Sequence, residues 1–240
     1  MIETTYELFN EDCTKFLREA KDKQYQVVVT DPPYGINENE KKIMSRGSKA
    51  APPIDYGVVD WDKERVPDEL IINCLRISKQ QVIFGGNYYI DLLRPGPSWI
   101  VWDKQNSGDF ADCELAWTSH NKAVRKFTHM WNGFLKKVPE KRYHPTQKPL
   151  ALMQWVIENY TELGDTVIDP FMGSGTTGVA CVMLGRNFIG IERNERYFED
   201  AKMRIEFASS QPTLLGLMNG VGQVDLTQGS IDFGESELFK

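Results

Sequence analysis

The run Tyr25-Gln26-Val27-Val28-Val29-Thr30, halted by Asp31-Pro32-Pro33, constrains the fold more than any other stretch of the chain. A nearly continuous β-branched run of this length reads as a strand buried on both faces, the kind found at the centre of a parallel sheet. Neither proline can donate to a ladder, so the strand must stop there. In open α/β sheets, ligands bind outside the carboxyl ends of the strands. The carboxylate of Asp31, the carbonyls of Pro32 and Pro33 and the ring of Tyr34 are therefore expected at a binding edge. An Asp and the first proline carbonyl can accept the two hydrogens of one amino group, and Tyr34 offers a flat face on which a base can stack.

The neighbouring segments alternate as an α/β chain should. Residues 6–12 read as a short strand ending in acids, followed by a helix over Cys13 to Lys21, with Asp12 suited to its N-cap. Val66 to Ile77 is amphipathic, with Pro67 in its first turn. Strands are expected at Gln81–Phe84, Ser98–Trp102 and Cys113–Trp117, with a short helix from Tyr89 to Leu93. Trp99, Trp102 and Trp117 are read as core fillers. His144-Pro-Thr-Gln-Lys-Pro149 leads into a helix, Leu150 to Tyr160, whose start beside Lys148 suits a carboxylate.

A second informative stretch is Thr166-Val-Ile-Asp-Pro-Phe-Met-Gly-Ser-Gly-Thr-Thr-Gly178. A strand, a glycine loop and a helix (Val179 to Leu184) form a nucleotide-binding unit, with Gly173 and Gly175 permitting a tight turn and close approach to a ligand. The next strand, Asn187 to Ile191, ends at Glu192, an acid able to accept both ribose hydroxyls. Arg193 to Phe207 closes with an amphipathic helix. The glycine spacing also satisfies the dinucleotide fingerprint, so a nicotinamide or flavin oxidoreductase is a rival class. Here, however, Asp169-Pro170-Phe171 separates strand from glycines, and hydride transfer gives Asp31-Pro-Pro-Tyr34 no task.

Composition narrows the partners. The chain has 240 residues, 41% of them hydrophobic, enough for one α/β domain with an insertion. No run approaches ~18 apolar residues, so no membrane span is expected, and the amino terminus lacks a secretory signal. Four scattered cysteines and three histidines give little basis for disulfides or a metal site, and none is expected. The net charge of −6 is unfavourable for a nucleic-acid partner, but its distribution is uneven. Between Ser119 and Pro149, eight cations face the single acid Glu140, interleaved with Phe127, His129, Trp131, Phe134 and Tyr143. Phosphate contacts from the cations and stacking from the rings would suit a duplex.

Taken together, Asp31-Pro-Pro-Tyr34, His144-Pro-Thr-x-Lys-Pro149 and Asp169-Pro-Phe-x-Gly-Ser-Gly-Thr-Thr177 resemble, in this order, the motifs of the β-group, permuted DNA amino-methyltransferases, from Asp12 to about Phe207. The resemblance implies a Rossmann-like methyltransferase fold, a seven-stranded, mostly parallel sheet with one antiparallel strand and helices on both faces. It implies S-adenosylmethionine as cofactor, held by Asp169, Phe171, Gly173, Ser174, Gly175 and Thr176. Glu192 would take the ribose, Thr146 and Lys148 the methionine end, Asp12 the adenine side, and Asp31 would adjoin the cofactor. Asp31, Pro32, Pro33 and Tyr34 become the catalytic set, acting on a flipped base by direct in-line transfer. Asp at the first motif position resembles the adenine enzymes; cytosine 4-amino methylation and RNA amine methylation stay open as alternatives, as does a non-enzymatic DNA-binding protein on the same body.

The same resemblance implies double-stranded DNA as partner, contacted by Lys122, Arg125, Lys126, Trp131, Lys136, Lys137 and Arg142, and a possible homodimer. It implies a cytoplasmic enzyme of a bacterial or phage-infected cell, within a restriction-modification system or as an orphan methylase. Residues 1–208 would form the catalytic domain, with a target-recognition insert at about 119–143 and a DNA-contacting flap at about 36–58. Residues 209–240 read as a tail, in which Gln223-Val-Asp-Leu226 faintly resembles sliding-clamp peptides.

Overall fold

A computed structural model describes residues 4–36, 64–105, 111–130, 143–144 and 146–211. Along the chain these form β1 (Tyr6–Phe9), α1 (Cys13–Glu19), β2 (Tyr25–Thr30), α2 (Asp68–Ile77), β3 (Ser78–Phe84), β4 (Trp99–Asp103), β5 (Cys113–Thr118) and β6 (Arg125–Thr128). They continue with α3 (Leu150–Tyr160), β7 (Thr166–Asp169), α4 (Thr176–Met183), β8 (Asn187–Ile191) and α5 (Glu195–Ser210).

The strands make one sheet in the order β1-β8-β7-β2-β3-β5-β4-β6. β2 is central, parallel to β7 on one side and β3 on the other, as its unbroken apolar run predicts. Among the described strands β5 alone is reversed, pairing antiparallel with β3 and β4. The sheet has eight strands among the described residues rather than seven. The addition is β6, parallel to β4 at the outer edge. Its four residues carry two cations, and only Phe127 turns inward, against the main core and Trp155 (ring centroids 5.5 Å). So short a strand is specified by its pairing with β4 rather than by its own pattern.

Alternation along β2 explains the two layers of helices. Val27 and Val29 face α3, α4 and α5 together with Val167, Val156 and Ile205, whereas Val28 faces α1 and α2 with Leu17, Cys74 and Ile168. All three valines are shut from solvent, each worth about 1.5–3 kcal/mol of transfer free energy. Trp102 and Trp117 are buried core fillers, as predicted, and Trp99 packs partly against the cluster around Ile83.

Several predicted boundaries shift: the strand expected at Gln81–Phe84 begins at Ser78, and the helix expected at Val179–Leu184 begins at Thr176. Pro67 and Pro149 are N-caps rather than first-turn residues; with no N–H to bond, proline suits either place. Residues Tyr89–Leu93 form turns after a short 3-10 segment at Gly86–Tyr88, not a helix.

Candidate active site

Because β2, β7 and β8 are parallel and adjacent, Asp31, the glycine loop and Glu192 all emerge at the same edge of the sheet. A cavity of about 690 Å³ runs along it, bordered by Asp31, Pro33, Thr146 and Lys148 on the β2 side and by Asp12 at the β1 end. Asp169, Phe171, Gly173, Ser174, Thr176 and Glu192 border the other side. Gly175 lies beneath, as the uncapped N-terminus of α4 at φ +75. A Cβ there would sit 2.8 Å from Cβ of Ala201, so glycine allows α4 to seat against α5.

The glycine loop is held from within. The Gly173 amide donates to Oε2 of Glu192 at 3.1 Å, while Oε1 accepts from the Asn194 amide at 2.8 Å. Burial pushes the Glu192 carboxyl up. Asp169, at the end of β7, is buried and fully engaged. It accepts from the Thr30 hydroxyl at 2.7 Å, the Thr177 hydroxyl at 2.8 Å and the Phe171 amide at 3.1 Å. Asp12 caps α1, accepting from the Thr14 amide at 2.8 Å, and faces the cavity as well. Thr146 bonds through its hydroxyl to Nδ1 of His144 at 3.1 Å.

On the other loop, Asp31 Oδ2 accepts from Lys148 Nζ at 2.6 Å, and Oδ1 accepts from the Tyr34 hydroxyl. Tyr34 stacks on Tyr88, ring centroids 4.8 Å apart, above the backbone of Gly85. The Pro33 carbonyl accepts from the Tyr89 hydroxyl. The Pro32 carbonyl is taken by no donor among the described residues. Lys148 is itself shared, with Glu114 Oε2 at 3.1 Å, and Lys104 pairs with the other oxygen of Glu114. Burial raises the Asp31 carboxyl, with the Lys148 ammonium opposing it. Burial would also raise Glu114, but the Lys148 and Lys104 ammonium groups outweigh it and hold that carboxyl at about 2.

Sequence reasoning missed Glu114, Lys104 and Tyr88. A Glu inside the otherwise apolar strand Cys113–Thr118 was the available signal, since a buried acid demands a partner. The expected DNA contacts divide. Lys122 donates to the Asn159 carbonyl and lies over the Tyr160 ring, and Arg125 opens β6 opposite the start of β4. Both are thus at the edge away from the cavity, because the reversed β5 delivers the chain there. Lys126 pairs with Asp103 at 3.2 Å. Trp131, Lys136, Lys137 and Arg142 lie outside the described residues. So do residues 37–58 of the expected flap and Gln223–Leu226.

Comparison with known proteins agrees with this arrangement. A DNA methylase family profile, that of the N6/N4 methylases, matches residues 101–203. The Type II methyltransferase M2.DpnII of Streptococcus pneumoniae is 29% identical, over 83% of this chain and 89% of its own. The crystal structure of the M1.HpyAVI–SAM complex, at 27% identity, superposes with a TM-score of 0.54 over 83% of this chain and 100% of that one. PvuII DNA methyltransferase (cytosine-N4-specific) shares the fold at a TM-score of 0.56 and 14% identity, over 84% and 87%.

Fold and site together define an S-adenosylmethionine-dependent methyltransferase. Within that class the chain is similar to the DNA amino-methyltransferases of the Asp-Pro-Pro-Tyr type, through the DNA methylase profile over residues 101–203 and Type II relatives at 27–29% identity.

Proposed function

We propose that this protein, a permuted β-group enzyme, methylates the 6-amino group of adenine in a specific duplex sequence. The observation that carries the reading is the placing of Asp31, at the head of the Asp-Pro-Pro-Tyr turn, on the rim of the cavity that the glycine loop also borders. The cavity's residues suit S-adenosylmethionine. Glu192 offers a carboxylate to ribose hydroxyls, Phe171, Val66 and Leu70 an apolar wall to an adenine ring, and Ser174 and Thr146 polar groups to an amino-acid end. When bound, the cofactor supplies an electrophilic sulfonium methyl.

The chain's own residues then make the amine a nucleophile. An exocyclic base amine is weak because its lone pair is delocalised into the ring. Hydrogen bonds from its two hydrogens to Asp31 and the Pro32 carbonyl favour a tetrahedral nitrogen and localise that pair. Positioning and electrostatics supply the acceleration. The base must first leave the stack, at a cost of a few kcal/mol, which stacking on Tyr34 offsets in part. In the state described here the Tyr34 hydroxyl sits on Oδ1 of Asp31, so the amine must displace it.

Residues 1–208 form the catalytic domain in this reading, and 209–240 a tail. DNA contact falls in this reading to Lys126 and, outside the described residues, to Trp131, Lys136, Lys137 and Arg142. A homodimer, a clamp contact through Gln223–Leu226 and a cytoplasmic location belong to the same proposal; gel filtration and a pull-down with 221–240 deleted test the first two. The decisive experiment is transfer of tritiated methyl from labelled S-adenosylmethionine to duplex DNA, followed by nucleoside analysis. N6-methyladenine is the expected product. N4-methylcytosine, label only in RNA, or no label at all would each overturn the reading.

A further inference from the structure

Asp31, Lys148, Glu114 and Lys104 form a continuous chain of alternating charge. Lys148 Nζ lies 2.6 Å from Asp31 and 3.1 Å from Glu114. Its side chain is only 9% exposed, and the ammonium also sits 5.2 Å from the Phe84 ring centroid. Lys104 holds the second oxygen of Glu114. The members come from the loop after β2, the segment before α3, β5, and the end of β4. Only the reversed direction of β5 brings Glu114, near that strand's beginning, to the carboxyl edge where Asp31 stands.

A buried lysine with one carboxylate partner forms a tight pair, because attraction is strong where water is scarce. Such a pair would be a poor receiver for a neutral amine. A second carboxylate on the far side of the ammonium divides that attraction. We propose that Glu114 is a positioning residue for methyl transfer, sharing the Lys148 ammonium so that Asp31 is the better acceptor for the target amine. Lys104 in turn fixes Glu114, one oxygen toward each lysine. The inference rests on the reading of Asp31 as acceptor of that amine.

The groups facing Asp31 are Lys148, Glu114, Tyr34 of its own loop and Asp169 of β7. Of these the Glu114 charge raises the Asp31 carboxyl and the Lys148 charge lowers it, on top of the upward push of burial. Removing the Glu114 charge must therefore make Asp31 a stronger acid and a weaker acceptor.

The test is single-turnover methylation of duplex DNA across pH by the full chain, with thermal melts to confirm folding. Glu114→Gln is expected to lower kcat about tenfold or more (~1.4 kcal/mol in the barrier). KM for cofactor and DNA should stay near wild type, and the acid limb of the rate profile should move to lower pH. Lys104→Met removes a positive charge from the same chain, so its acid limb should move the other way. An unmoved limb in both folded variants, or shifts of the same sign, would overturn the role given to Glu114. Asp31→Ala keeps the two failures apart: an active Asp31→Ala defeats the acceptor reading itself, whereas an inactive one with unmoved limbs defeats only the inference.

Discussion

The Thr30 hydroxyl donates to the Asp169 carboxylate at 2.7 Å, joining the last residue of β2 to the last residue of β7 across 139 positions of sequence. Each residue directly precedes one of the two functional loops. The bond therefore fixes the loop that would receive the base against the loop that would hold the cofactor. Asp169 lines the cavity, but its oxygens are spent on Thr30, Thr177 and Phe171. We read it as a brace between loops.

Asp169 gives the clearest pH dependence. Burial pushes its carboxyl up to about 7, above the value in an unfolded chain. A raised carboxyl contributes stability fully below the unfolded pKa of about 4, and that contribution is lost as pH rises through about 7. Asp169→Asn can keep both bonds on Oδ1 while turning its amide toward Thr177. The stability of wild type relative to Asp169→Asn should thus decline from acid to neutral pH in denaturant titrations; a constant difference would contradict the raised carboxyl. Asp169→Ala strands two buried hydroxyls and should cost about 1–3 kcal/mol for each group left unpaired.

Asp31→Ala removes the acceptor but leaves the glycine loop and Glu192 untouched. Cofactor binding by calorimetry should persist, while methyl transfer to DNA should fall almost to nothing. Near wild-type turnover would remove Asp31 from the mechanism.

Gly85 has φ +63, and a Cβ built on it would lie 2.0 Å from Cε1 of Tyr34. Gly85→Ala must push that ring off Tyr88 and away from Asp31, besides straining its own backbone by about 1–3 kcal/mol. The expected outcome is a loss of methylation larger than the loss of cofactor affinity, read from kcat and from binding titrations. Equal losses would mean that Tyr34 plays no separate part.

Glu192→Ala deprives the Gly173 amide of its partner and a bound ribose of its carboxylate. A hydrogen bond to a charged group is worth about 1.5–3 kcal/mol, so Kd for the cofactor should rise roughly ten- to a hundred-fold, with Glu192→Gln losing less. An unchanged Kd in the alanine variant would place the ribose elsewhere.

What the sequence made legible is what local covalent chemistry decides. Two prolines must end β2 at Thr30, and β8 delivers Glu192 beside Gly173 because the strand–loop–helix–strand unit is built of consecutive residues. What stayed hidden depends on strand direction and register between distant segments. The strand pattern of Cys113–Thr118 is visible in sequence, but its reversal is not, and that reversal both brings Glu114 to Lys148 and carries Lys122 and Arg125 away from the cavity. In sequence β6 falls within the basic insert, because four residues with two cations bear no strand signature of their own. Its register with Ile100 to Asp103 supplies one.

The pairing of β1 with β8, Tyr6 beside Phe188, has a consequence for how the molecule is made. During synthesis the earliest strand waits unpaired while more than 180 further residues leave the ribosome. The outermost strand on that side therefore docks only after the cofactor half has been translated. Loop-closure entropy makes such a distant contact slow to form, so an extension fused ahead of Tyr6 would act on a late step of assembly.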